Sequence, residues 1–175
     1  MALDADNVRV AVTGAVYVAP TGTTLPVTAD NILDAAFDDL GYVSEDGVVE
    51  SQGTDSNDIK AWQNGAIVRK VQTSHDLTYA LTFIESNDTV RDEWYGVKVG
   101  AARQITGSQP GKRAFVIDVV DGIYEFRIAI PNGEITDRGD VSYLNGEAIS
   151  YPATITCYPD DAGVKAYIYD DSDGS

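Results

Sequence analysis

The feature that most constrains this chain is a run in which the side-chain period is two. In KRAFVIDVVDGIYEFRIAIPNG, residues 112–133, Phe115, Ile117 and Val119 fall on one face, and so do Tyr124, Phe126, Ile128 and Ile130. Alternation of this kind belongs to strands, and Asp121–Gly122 between the two halves is a tight hairpin signal. The apolar faces are expected to turn inward, which leaves Asp118, Glu125 and Arg127 on the wetter side.

The same signal recurs along the chain. Residues 8–19 read as a strand broken near Gly14, and LGYVSE as a brief one. AIVRKVQT and DLTYALTFI read as two strands around Ser74–His75, with Leu77, Tyr79, Leu81 and Phe83 on one face. Two more are expected around Asp160–Gly163, followed by a flexible tail at about 170–175. One helix is clear, SNDTVRDEWYG at 86–96. Ser86 or Asn87 can cap it, Asp88 suits its dipole, Gly96 ends it, and Val90 and Trp94 form its apolar stripe. Residues 30–40 suit a short helix or a structured loop equally. Seven or more strands with one principal helix imply a mainly β fold, a sandwich or barrel flanked by that helix, in a single domain over residues 1–175.

Charge and chemistry exclude several functions. The 12 basic and 28 acidic residues leave a formal net charge of −16. Nucleic-acid affinity comes largely from Lys and Arg neutralising phosphates, so such a surface repels a duplex. Cys157 is the single cysteine and His75 the single histidine, which removes intramolecular disulfides and histidine-rich metal motifs. There is no GxSxG elbow and no phosphate-binding GxxxxGK[ST] loop. No enzyme and no cofactor is expected. DDSDG at 170–174 opens like a calcium loop without its closing glutamate, and reads better as a solvated tail. No apolar run is long enough to span a membrane, and MALDADNVRVAV lacks the layout of a secretory signal.

One stretch does not fit a strand or helix period. SEDGVVESQGTDSNDIKAWQNG, residues 44–65, holds Glu45, Asp46, Glu50, Asp55 and Asp58 against Lys60, and it ends in the apolar Ile59 and Trp62. A loop this long inside a compact domain is usually functional or disordered. Asn64–Gly65 is a type I′ hairpin signal that could equally close this arm. Trp62 is either a local anchor or a hot spot on a neighbouring subunit.

The order GYVSEDGV, AWQNG, an acidic IES before a short helix ending in YG, and a late ISYPATITCYPD resembles the major tail tube protein of long non-contractile-tailed phages, especially those of actinobacteria. The resemblance runs from about residue 8 to 170. It implies a β-sandwich protomer that self-assembles into hexameric rings stacked as a hollow tail tube, through which DNA passes without specific binding. It implies a virion protein made in the host cytoplasm, with the tape measure, tail terminator and distal tail proteins as further partners. Residues 44–65 then become an assembly loop, with Val48, Val49, Ile59 and Trp62 as its buried contacts. Asp118 and Glu125 are expected to face the lumen. The alternative is a carbohydrate- or cell-surface-binding β-sandwich module, calcium-dependent in one form. A carboxylate-dependent glycosidase is a third reading, weakened because 28 acids produce accidental pairs in any fold.

Overall fold

The computed structural model describes residues 7–107 and 110–170. The calcium-like run beyond Asp170 and the first six residues lie outside them. The strands are β1 (Thr13–Pro20), β2 (Asp38–Asp39), β3 (Val43–Lys60), β4 (Ile67–Phe83), β5 (Lys98–Val99), β6 (Ala102–Arg103), β7 (Arg113–Asp121), β8 (Tyr124–Arg138), β9 (Tyr151–Tyr158) and β10 (Tyr167–Asp170). The helix α1 spans Asp88–Tyr95 between β4 and β5. Every pairing is antiparallel, in the order β2-β1-β7-β8-β9-β4-β3, with β10 also on β8 and β5-β6 a separate hairpin.

Strand β8 lets one sheet fold over on itself. Its first half pairs with β10 through Phe126–Ala129, and its second half pairs with β9 through Asn132–Arg138. Between them the register against β7 slips, Phe115 opposing Ile130 but Arg113 opposing Gly133. Pro131 sits in that bulge, where a residue that cannot donate to the ladder is tolerated. The two halves close on one core. Val16, Val18, Phe115, Ile117, Ile128 and Ile130 meet Tyr79, Leu81, Phe83, Tyr151, Ile155 and Cys157. Gly133 is required at the crossing, because a Cβ there would lie 2.6 Å from the Phe115 ring and 2.9 Å from Ile155.

The helix obeys its sequence signals. Asn87 caps it by accepting from Val90 N at 2.8 Å, and Gly96 ends it at φ 98°. Val90 and Trp94 enter the core, where Trp94 meets Tyr151 edge-on at 5.8 Å. Glu93, also buried, accepts from Arg113 Nε at 2.9 Å. Burial still holds the Glu93 carboxyl above its ordinary pKa, with Arg113 opposing the shift. Arg103 on β6 bonds Asp88 and Asp92, which ties the small hairpin to the helix.

Four expectations need correction. Residues 44–65 are not a loop: β3 runs through Lys60, paired with β4 along almost its whole length. Ser74–His75 is not a turn, since β4 is continuous. Its ladder slips there instead, Asp55 opposing Ser74 while Ser56 opposes Gln72. Nor is the Arg127 face wet. Residues 21–37 reach it through Asn31, and Arg127, only 7% exposed, donates to the Asn31 carbonyl at 2.5 Å. That segment is a loop rather than a helix, with Asp34 organising a turn by accepting from Ala36 N at 3.0 Å. The β7–β8 turn is shifted by one residue, with Gly122 (φ 63°) and Ile123 between the paired Asp121 and Tyr124.

Candidate assembly surface

β3 and β4 begin in the body and end outside it. β9 covers β4 only from Thr78 to Phe83, so from Gly53 and Asp76 outward the two strands form a ribbon without a third. The ribbon closes on Asn64 (φ 59°) and Gly65 (φ 65°), both left-handed, as a type I′ turn requires. Ala66 N donates to Gln63 O, and Ala61 N to Ala66 O, completing the tip. Where the ribbon leaves the body, the Tyr79 hydroxyl donates to Glu50 Oε2 at 2.9 Å. Burial first, then the Glu50 carboxylate, raise the Tyr79 phenol pKa. Close by, the Lys165 ammonium bonds the carbonyl of His75, which stands opposite Thr54 in the ladder.

The apolar residues of the arm divide by place. Val48 opposes Leu81 and packs against the core, whereas Val49 opposes Ala80 and is 54% exposed. Ile59 is 48% exposed and Trp62, at the tip, 97%. Ile67 and Val68 beside them are also exposed. Trp62 is therefore not a local anchor, and the tip displays an apolar group that the fold itself leaves in water.

The charge of the tip was missed in the sequence. Over residues 57–72, Lys60, Arg69 and Lys70 stand against Asp58 alone, in a chain that is otherwise strongly acidic. The clustering of three of the 12 bases within eleven positions was a visible signal. Lys70 pairs loosely with Asp58 at 3.7 Å.

At the base of β3 the ladder opens. Val43 opposes Phe83 and Val48 opposes Leu81, so residues 44–47 bulge out with Gly47 at φ 65°. The bulge walls a groove of about 350 Å³ whose floor includes Val16, Ile117 and Val119. Glu45 and Asp118 line it, and no Lys or Arg does. Ser44 Oγ, also on its wall, is buried with no hydrogen-bond partner.

The two acids expected to face a lumen differ in environment. Asp118 accepts from Arg127 Nε at 2.6 Å and Nη2 at 2.8 Å, so its charge is matched within the fold. Glu125 opposes Val120 near the β7–β8 turn and is partly exposed.

The profile of the family described as phage tail tube protein matches residues 1–173. The chain belongs to the phage tail tube protein family. Its role is structural, as a component of the tail tube of a virion. Among solved structures, a chain of an extracellular contractile injection system, described as its sheath–tube complex in the extended state, is similar with a TM-score of 0.51. That match covers 94% of this tail tube chain and 93% of the other at 8% identity, a likeness of fold. No curated protein sequence matches it. Among the described residues, no helix of this tail tube protein is long and apolar enough to cross a membrane.

Proposed function

We propose that copies of this chain close into hexameric rings that stack as the hollow tube of a long non-contractile phage tail, of the kind that infects actinobacteria. The observation that carries this reading is Trp62, 97% exposed at the end of a ribbon held away from its own body. Tryptophans are enriched at interface hot spots, and an indole in water gains most by burial against another protein. A contact between different surfaces of identical copies closes into rings where the rotation allows, and repetition along an axis extends them into a tube. Val49 and Ile59 join Trp62 in that contact, while Val48 supports the base of the arm.

The protein acts without catalysis. It is made in the host cytoplasm and meets the tape measure, tail terminator and distal tail proteins as the tail is built. Six copies at −16 give a formal −96 per ring. An acidic bore repels the phosphate backbone over roughly 8–10 Å and lets the duplex slide rather than bind. Glu125 contributes to that wall more than Asp118, whose charge Arg127 already matches. A sugar-binding module would instead set its aromatic platform in a concave site, and Trp62 caps a convex tip.

Negative-stain electron microscopy tests the reading. The purified chain is expected to form rings or tubes, and an Ile59→Ala, Trp62→Ala double variant to stay folded without polymerising. Normal tubes from the double variant would end the role of the arm. A wild-type chain that remains a small discrete species at every concentration, with or without a tail-assembly seed, would end the tube.

A further inference from the structure

The proposed tube needs a receiving surface for the ribbon tip, and the fold contains one that suits it. We infer that Trp62 of one copy enters the groove behind the 44–47 bulge of a second copy, so that the tip of each ribbon docks at the base of the next. This rests on the assembly reading above and names the partner surface within it.

Three observations converge on this groove. Its floor is apolar and its volume of about 350 Å³ admits an indole with its neighbours. Its one unmatched charged side chain is an acid, Glu45, while the tip brings Lys60, Arg69 and Lys70. Opposite charge across an interface steers encounter and fixes register. Ser44 Oγ is buried in the groove wall without a partner, and an indole N–H supplies the donor that a hydroxyl oxygen accepts.

The occupant cannot be the tip of the same chain. Val48 lines the groove and begins the paired ladder that runs to Lys60. At roughly 3.3 Å per residue, twelve steps of strand hold the tip about 40 Å from its own groove. A paired ribbon does not bend back on itself, so the contact has to be made between copies. Tip and groove are different surfaces, and each copy carries both. Such a heterologous contact propagates, which is what a ring or a stack needs.

Cysteine cross-linking decides between this groove and any other. In a Cys157→Ala background, chains carrying Trp62→Cys and Ser44→Cys together are assembled and oxidised. The expected result is a ladder of disulfide-linked oligomers on a denaturing gel, absent before assembly. A control pair, Trp62→Cys with Ile105→Cys on the exposed loop after β6, should give none. Tubes that form without the ladder, or with equal ladders from both pairs, would overturn the groove while leaving the tube intact. If the cysteine at 62 itself blocks polymerisation, a Trp94→Phe chain keeps Trp62 as its sole indole. Its emission should shift to the blue on assembly, and Ser44→Phe, which fills the groove, should prevent both shift and assembly. Unchanged emission in formed tubes would also overturn the proposal. Failure of the wild-type chain to assemble at all would remove the underlying reading, and this one with it.

Discussion

The body of this protein and its ribbon use β-structure for opposite purposes. In the body, both faces of the β7–β8 pair are buried, one against β4 and β9 and the other at Val116, Ala129 and Arg127, where Asn31 meets the guanidinium. The core-facing side chains Phe115, Ile117, Ile128 and Ile130 of this pair find their partners within the chain. In the ribbon, residues 53–76 have one neighbour strand and no covering layer, and Ile59, Trp62, Ile67 and Val68 remain in water. The ribbon is held out as something to be completed by another molecule. If copies assemble through the ribbon as proposed, this separation keeps folding and assembly from competing for the same side chains.

The comparison breaks first if the body does not depend on its internal packing. Phe115, fully buried at the crossing of the two halves, is the strongest test. Phe115→Ala should lower unfolding free energy by about 3–5 kcal/mol, through lost burial and the cavity left behind. Urea denaturation of the monomer measures it. A loss below about 1 kcal/mol would mean that the two halves do not share a core.

The next test concerns the covered second face. Asp118→Asn leaves the Arg127 guanidinium buried without its counter-charge, which should cost about 3 kcal/mol. An acid serving only as a wall charge would be replaceable at no cost to stability. An unchanged melting curve would return Asp118 to that role, and would show that residues 21–37 do not seal this face.

The body should also have an alkaline limit that the ribbon does not set. Burial pushes the Cys157 thiol up to about 12 and, with Tyr143 as neighbour, raises the Tyr95 phenol to about 12. Tyr79 is raised as well, by burial and by Glu50. Each raised pKa favours the neutral group in the native state. The associated stability is whole below the unfolded values of 9.0 and 10.0 and is lost as pH climbs through the native ones. Unfolding free energy, followed by urea titration, is therefore expected to hold to about pH 9 and then fall, by at most about 1.4 kcal/mol per pH unit for each group. Tyr79→Phe should make the fall shallower. An equally steep fall in that variant would place the linkage elsewhere.

What the sequence made legible follows the same division. Alternation exposed the core faces of β4, β7 and β8, because each has one side against the core. Cap chemistry at Asn87 and Gly96 located the helix, because it is local. The ribbon was hidden for a physical reason: with both faces solvated, β3 has no burial pattern to impose a period of two on its sequence. Polar Ser74–His75 read as a turn because a bulge and a turn both suit polar residues. Arg127 read as exposed because alternation reports on one sheet and cannot see the loop that crosses it. At the candidate surface, Trp62 stood out as an expensive residue beside a polar run. The groove did not, since Val16, Ser44 and Ile117 come from three separate strands.

The smallest expected effect bears most directly on whether the ribbon is a separate unit. Asn64→Ala places a β-carbon without the local hydrogen-bonding of Asn at φ 59°, a strain of about 1 kcal/mol at the type I′ tip. Two strands without a third are marginal by themselves, so this should raise amide exchange through residues 53–76. Body amides at Phe115–Ile117 and Ile128–Ile130 should not respond, and global unfolding should stay within about 0.5 kcal/mol of wild type. Polymerisation should nonetheless weaken, because a frayed tip must be reordered in every copy that docks. If instead the body amides loosen in step with the ribbon, the strands transmit the strain inward. Folding and assembly would then draw on one cooperative unit rather than two.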